Sequence, residues 1–427
     1  MATALGASAR RIVLDPDFPV IIIDVSILFY TAYFEAITKF YLANGDIRLA
    51  QTEMFKEIRA INAPNLSTFK TLAALVVRRG DTIDYANIDK NAKFGALFKS
   101  VIERLIKRTC KSVSNTPYRF GNAILIKDCR RADNWRCKKF PFYKQQRAAR
   151  DIITNHLQFN GKIVEQFWTD VYPRLENELG VRILTIPTLE ADDLAYFAKL
   201  EIRRIIPNTE LIIITRDYDY LQLVDEKTRI INFEGIDLNE RGFGSPELNL
   251  AIKIMTGDAS DNVSPLFYGC GEKTAQKILV KLYPAHENDI DLAAKAFINE
   301  LERNENVATI SRRIMEILTE SSSSRSRGRP ITSASRMPSA TIIITNLTYN
   351  TLLIQMSKIP EIYRNQFNQE YTFTTYDLAR ARFEERNPLA NAINVANTAT
   401  QGTKLHSADD VLLKNKSRSN KQAPKSH

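Results

Sequence analysis

Three short aliphatic runs constrain this chain more than anything else in it. Val20-Ile21-Ile22-Ile23 ends at Asp24, Ala123-Ile124-Leu125-Ile126-Lys127 ends at Asp128, and Leu211-Ile212-Ile213-Ile214-Thr215 ends near Asp217. Each is apolar throughout rather than alternating, which suits a strand covered on both faces in a parallel sheet between helices. Helical patterns fall between them at residues 97–111, 163–179 and 189–206. Such alternation predicts an α/β fold with a parallel sheet and right-handed crossovers. Ligands of these sheets gather outside the carboxyl ends of the strands. The acidic residues sit at those ends.

The length of 427 residues suits two or three domains, or one large α/β core with attachments. With 44% apolar residues, global disorder and collagen-like or mucin-like chains are excluded. No apolar run approaches the roughly 18–20 residues that cross a bilayer. The opening MATALGASARR has no apolar signal-peptide centre, and four scattered cysteines (110, 129, 137, 270) form no C-x-x-C pair. An intracellular, reduced protein without a membrane segment is expected. The net charge of +10 favours a polyanion partner, nucleic acid above all, although a merely basic surface would give the same sum.

Residues 321–339 hold eight Ser, four Arg and two Pro without apolar periodicity, which reads as a basic linker or surface insertion. Structure is expected again over 342–367. From Lys404 onward six Lys/Arg accompany almost no core-forming residues, so a disordered basic tail is expected.

The carboxylates that end strands or open helices are Asp24, Asp128, Glu190, Asp192, Asp193, Asp217, Asp219 and Asp258. Brought into one cavity, they would repel and take up protons unless cations neutralised them. Hard oxygen donors select Mg²⁺ or Mn²⁺ over zinc, which favours His or Cys. A pair of such ions roughly 4 Å apart stabilises the attacking and leaving oxygens of phosphodiester hydrolysis. Glu190 and Asp193 are three apart at a helix start, where the dipole favours anions. Asp217 and Asp219 share a side if the chain there is extended.

In this order the residues resemble the 5′-nuclease superfamily of flap endonucleases and 5′–3′ exonucleases, which includes phage and viral members and the nuclease domain of bacterial DNA polymerase I. The resemblance rests on Asp24, L-E-A-D-D (189–193), T-R-D-Y-D-Y-L-Q-L (215–223) and G-D-A-S-D-N-V (257–263), and covers about 20–282. A weaker echo follows in Y-N-T-L-L-I-Q-M-S-K-I-P (349–360). It implies a parallel-sheet, PIN-like core with two Mg²⁺ or Mn²⁺ ions. Asp24, Asp128, Glu190 and Asp192 would hold one ion. Asp192 or Asp193, with Asp217, Asp219 and Asp258, would hold the other, with Asp261 just outside.

The segment W-R-C-K-K-F-P-F-Y-K-Q-Q-R (135–147) is similar to the family's arch entrance at Arg136, Pro141, Tyr143, Lys144 and Arg147. Lys144 and Arg147, three apart, would clamp the scissile phosphate, and Tyr143 would stack on an unpaired base. A solvated basic helix is the plain alternative. In G-C-G-E-K-T-A-Q-K-I-L (269–279), Gly269 and Gly271 allow a turn that approaches a phosphate, and Lys273 and Lys277 follow on a helix. The family uses this helix–turns–helix feature to grip duplex DNA, often with K⁺ in the turn. Ser264–Tyr268 departs from the family pattern and is one residue longer.

The 104 positions from Asp24 to Asp128 predict a helical insertion. Its Lys99, Arg104, Lys107, Arg108 and Lys111 would either extend a DNA-binding face or stay solvated. The expected division is an extension (1–17), a nuclease core (18–245) with insertion (about 35–120) and arch (about 130–180), and a helix–turns–helix region (246–320). A Ser/Arg linker (321–340), a structured segment (341–400) and a basic tail (401–427) follow.

The implied function is a structure-specific 5′-nuclease, acting as a monomer at sites of DNA replication, on DNA with duplex/single-strand junctions or on RNA–DNA hybrids. A PIN-type ribonuclease and a non-catalytic junction-binding protein are the alternatives. No sliding-clamp-binding motif with paired aromatics stands in 401–427.

Overall fold

The computed structural model describes residues 9–44, 92–113, 122–146, 167–303, 307–323 and 338–376. The chain divides into two compact units, residues 1–373 and 374–427, and nearly all described residues belong to the first. In chain order its elements begin with β1 (Arg10–Leu14), β2 (Val20–Asp24), α1 (Val25–Asn44), α2 (Ala92–Val113), β3 (Ala123–Ile126) and α3 (Trp135–Lys139). A π-helical turn (Phe167–Val171), α4 (Tyr172–Leu179), β4 (Arg182–Leu184), α5 (Ala191–Ile205), β5 (Leu211–Ile214) and β6 (Thr228–Ile231) follow. The remainder is α6 (Pro246–Thr256), α7 (Glu272–Leu282), α8 (Ile290–Glu302), α9 (Val307–Ser323), α10 (Ala340–Ile354), α11 (Glu361–Glu370) and β7 (Tyr371–Thr375).

The three aliphatic runs form the middle of a five-stranded sheet, ordered β4-β3-β2-β5-β6, with all four pairings parallel. Both faces are covered, as the unbroken apolar runs require. On one face Ile21, Ile23, Leu125, Ile212 and Ile214 pack with residues of α1 and α2. On the other, Val20, Ile22, Ile124, Ile126, Leu211 and Ile213 pack with α5 and with Phe367 of α11. The chain leaves β2 for β3 on one side and returns as β5 on the other. The strand order therefore reverses between β2 and β5, and the crevice at their carboxyl ends is where a ligand is expected.

Helices α6 to α10 form a further core with Phe140 and Tyr143. Helix α6 starts where Ser245 Oγ accepts from the Leu248 amide at 3.1 Å and Pro246 takes the first position. It ends at Gly257, whose φ of 67° no β-carbon residue adopts comfortably. A Cβ there would stand 2.4 Å from the Val263 carbonyl oxygen and 2.5 Å from the Ser264 carbonyl carbon. Gly257→Ala is therefore expected to cost about 3 kcal/mol or more, from combined backbone strain and overlap. A thermal melt checks this, and a loss below about 1 kcal/mol would show that the turn yields.

Several expected boundaries shift. Residues 10–14, assigned to an extension, form a strand paired with β7, with Ile12 and Leu14 buried. Helix α9 runs to Ser323, into the expected linker. Within the expected insertion, α2 packs on α1 and on the sheet through pairs such as Phe94 with Tyr33 and Phe98 with Phe29. Three of its expected DNA-facing cations have internal partners: Lys99 pairs with Asp170, Arg104 with Glu35, and Arg108 donates to the Phe233 carbonyl at 2.9 Å. Arg147 and residues 147–166 of the expected arch, residues 324–337 and the tail lie outside the described residues, as does the Lys111 side chain.

Candidate active site

Asp24 closes β2 and is 6% exposed. Its Oδ1 accepts from the Ser26 amide at 2.9 Å, and its Oδ2 from Thr215 Oγ1 at 3.2 Å and the Tyr220 hydroxyl at 3.3 Å. Ser26 Oγ in turn donates to Asp128 Oδ2 at 2.7 Å, and Asp128 Oδ1 accepts from the Ala191 amide at 2.9 Å. A chain of short contacts thus ties the ends of β2 and β3 to the start of α5. Asp192 and Asp193 lie in that helix's first turn. After β5, Thr215 Oγ1 accepts from the Asp217 amide at 3.1 Å, and Asp217 Oδ1 from the Asp219 amide at 2.9 Å.

The third part of the site is the loop after α6. Asp258 and Val263 exchange backbone hydrogen bonds at 2.9 and 2.8 Å, so the loop between them is closed. It holds the segment beside it as well: the Lys144 amide donates to the Asp261 carbonyl at 2.8 Å, and Asn262 Nδ2 to the Phe142 carbonyl at 2.8 Å. One oxygen each from Asp219, Asp258 and Asp261 lies within 4.8 Å of the others, close enough to share a cation. Asp261, expected just outside a metal site, is a member of this trio.

The electrostatics follow from the crowding. Burial first, and next the charge of Asp128, push the Asp24 carboxyl up to about 7. Burial and the neighbouring charge of Asp193 push Asp192 well up, and desolvation raises Asp217 despite the opposing charge of Lys253. Burial would raise Glu190 too, but Lys144 and Arg136 outweigh it and hold the carboxyl at about 2. Asp258 is held at about 2 in the same way, with Lys253 overcoming its desolvation.

The raised group at Asp24 carries a stability consequence. Its folded value of about 7 lies above the ordinary 3.8, so its stabilising contribution is full below pH 3.8 and is lost as pH rises through 7. The loss is at most roughly 4 kcal/mol. In EDTA, Asp24→Asn should therefore raise the melting temperature at pH 8 and change it little at pH 4. Equal shifts at both pH values would show that Asp24 titrates normally.

Sequence reasoning missed Lys253. It projects from α6 to pair with Asp219 and, at 2.9 Å, with Asp258 Oδ2. The available signal was its place five residues before Asp258, on the helix that leads to it. Lys144, with φ 54°, pairs with Glu190 and lies 3.6 Å from Asp261 Oδ2. Two ammonium groups therefore stand among these carboxylates where divalent cations would otherwise be expected, and the donors are all hard oxygens. This set fits Mg²⁺ or Mn²⁺.

Three expectations need correction. Tyr143 is 4% exposed, with its hydroxyl 3.1 Å from both Glu190 Oε2 and Asp261 Oδ2, so it cannot stack on a base. Arg136 is 1% exposed and faces inward. Its Nη1 donates to Glu190 at 3.2 Å and to Asp193 at 2.8 Å, its Nη2 lies 2.7 Å from Asp193, and its Nε donates to the Leu353 carbonyl at 3.0 Å. Asp193 also accepts from Trp135 Nε1 at 3.1 Å, so its carboxylate is occupied and Asp192 is the better candidate ligand. Gly269 has the positive φ (85°) its turn requires, whereas Gly271 is extended. Lys273 and Lys277 are exposed on α7.

The parallel sheet thus carries carboxylates at its switch point, beside the acidic loop that follows α6. Residues 96–247 match the family model described as 5′-3′ exonuclease, N-terminal resolvase-like domain. The chain is 28% identical over 200 residues to DNA polymerase I of Lactococcus lactis subsp. cremoris (strain MG1363), covering 44% of this chain and 21% of that protein. It is likewise 28% identical over 202 residues to the enzyme of Lactococcus lactis subsp. lactis (strain IL1403). The chain thus spans about a fifth of the length of these curated relatives. Among solved structures, the T5 flap endonuclease in a pseudo-enzyme-product complex with DNA and metal ions is 16% identical, covering 65% of this chain and 89% of that one, with a TM-score of 0.38. The T5 5′-exonuclease with bound zinc is 14% identical, covering 84% and 98%, with a TM-score of 0.38.

Proposed function

We propose that this chain is a structure-specific 5′-nuclease. It binds the junction between duplex and single-stranded 5′ DNA and hydrolyses a phosphodiester near it, leaving a 5′-phosphate. The observation that supports this reading is that Asp24, Asp128, Asp217 and Asp219, at the carboxyl ends of parallel strands, are tied together by short contacts, and that Asp219 lies within 4.8 Å of Asp258 and Asp261 in the loop after α6. So many carboxylates, two of them with raised pKa values, need cations before they can all be ionised.

Asp24, Asp128 and Asp192, with Glu190 behind them, would hold one divalent ion. Asp217, Asp219, Asp258 and Asp261 would hold the second. When bound, such ions activate water and neutralise charge on the phosphate oxygens. The protein's own part is to fix the ligands and to present cations. Lys144 and Lys253 stand at the carboxylates, in reach of a phosphate that arrives there, and would offset charge that builds on its oxygens. The Gly269–Gly271 turn, with Lys273 and Lys277, would grip the duplex by its backbone, with K⁺ in the turn, and residues around 130–180 would form the arch. Contacts of this kind give weak sequence preference and steep salt dependence. Removal of flaps or RNA primers in replication and repair follows as the biological role.

The test is cleavage of 5′-labelled flap, nicked duplex, RNA–DNA hybrid and single-stranded substrates, with Mg²⁺ and with EDTA. Cutting near the junction in Mg²⁺ alone is expected. No cleavage of any of them in Mg²⁺ or Mn²⁺, or undiminished cleavage in EDTA, would overturn the reading.

A further inference from the structure

Beside the acidic trio lies a cavity of about 380 Å³ that the carboxylates do not account for. Asp258 and Lys253 form one wall, Leu221 and Ile252 contribute apolar surface, and Tyr218 and Phe243 line it with their rings. Both rings are unusually open for large aromatics, Tyr218 at 47% and Phe243 at 41%. A single exposed aromatic is ordinary. Two on one cavity, next to a cluster suited to phosphate chemistry, are not.

Neither ring hangs on a loose tether. Tyr218 stands between Asp217 and Asp219, at the start of the short 3₁₀ helix Tyr218–Leu223. Phe243 is fixed through its backbone: its amide donates to the buried Asn249 Oδ1 at 2.8 Å, and Asn249 Nδ2 donates to the Ser245 carbonyl at 2.9 Å. Gly242 lies so close to Asn249 that a Cβ would come within 2.7 Å of its Oδ1. The loop is thus strapped to α6, and Arg241 adds a cation to the cavity lining.

We propose that this cavity is a nucleobase subsite, in which Tyr218 and Phe243 stack on the base adjoining the phosphate to be cut. The inference rests on the nuclease reading and adds to it a binding role for two residues. Aromatic rings supply a stacking surface for any base, and the cations Arg241 and Lys253 suit the attached phosphates. The apolar walls and the volume, within the range of small-ligand sites, suit one base. A further consequence is that sequence preference stays weak, because every base presents a π-face.

The experiment places 2-aminopurine at either nucleotide flanking the junction of a 5′-flap duplex and follows its fluorescence on binding in EDTA. Quenching at one of the two positions is expected, lost in Tyr218→Ala and Phe243→Ala and kept in Tyr218→Phe. In Mg²⁺, Tyr218→Ala should raise KM roughly tenfold with kcat within about twofold. The same variant should lose nothing further on a substrate that is abasic at the quenched position. Quenching unchanged in Tyr218→Ala, or an equal KM penalty on intact and abasic substrates, would overturn the subsite. Wild-type protein that quenches through Tyr218 yet cleaves nothing would leave the subsite standing and overturn the nuclease reading.

Discussion

Asp217→Ala combined with Asp219→Ala is expected to lower cleavage of a 5′-flap substrate by at least about a thousandfold while leaving junction binding within a few-fold of wild type. The two aspartates stand at the mouth of β5, facing Asp24 across the switch point and Asp258 across the cleft. Asp219 belongs to the trio that could share a cation, and Asp217 is raised by desolvation, which marks it as a carboxylate in need of one. Losing both would leave Asp258 and Asp261 as the candidate ligands on that side, and an ion held by that remnant would be bound more weakly and displaced from its position. Binding should persist, because the exposed Lys273 and Lys277 of the proposed duplex grip are not touched. The change also removes negative charge from a cleft that must accept a polyanion, so tighter binding in the variant would agree with this account. Single-turnover cleavage and a fluorescence-anisotropy titration separate the two effects. Undiminished cleavage would remove both residues from the mechanism.

The second large effect concerns Arg136. Its guanidinium is almost wholly buried and ties α3 to two other helices: to α5 through Glu190 at its start and Asp193 in its first turn, and to the last turn of α10 through the Leu353 carbonyl. Arg136→Met would leave Asp193 buried without a cation and Glu190 with only Lys144. Breaking a buried ion pair from one side costs about 3–5 kcal/mol. That is a large share of the 5–15 kcal/mol typical of a domain. Arg136→Lys should recover little, because an ammonium cannot span both carboxylates in the geometry of the planar fork. Adding Asp193→Asn to Arg136→Met should regain much of the loss by removing the stranded charge. Urea unfolding of the three variants measures this, and a loss below about 1 kcal/mol in Arg136→Met would show that water reaches the pair.

These two cases illustrate what could be read from the sequence. The aspartates were legible because they follow unbroken aliphatic runs, and a parallel sheet carries such positions to one edge whatever the loops do. β4 and β6 were not legible: Arg182–Leu184 is a three-residue edge strand, and Thr228–Ile231 exposes Arg229. Arg136 and Tyr143 were read as groups for the substrate because their spacing resembled an arch entrance. Spacing along the chain does not report which way a side chain faces, and both turn inward, Arg136 to pair with buried carboxylates and Tyr143 to hydrogen-bond to one. Lys253 went unnoticed for the converse reason. Nothing local distinguishes it from a solvated helix cation, and its partners come from a loop some thirty residues earlier as well as from its own helix end.

The pairing of β1 with β7 joins residues about 360 positions apart. A clasp of that span is fastened last: during synthesis residues 10–14 must wait until residue 371 has left the ribosome before their edge is covered. Until then Ile12 and Leu14 have only part of their shelter, since Tyr371 and Phe373 belong to the same apolar cluster. The final step in assembling this domain therefore falls to the chain's far end, long after the strands bearing the aspartates have been made.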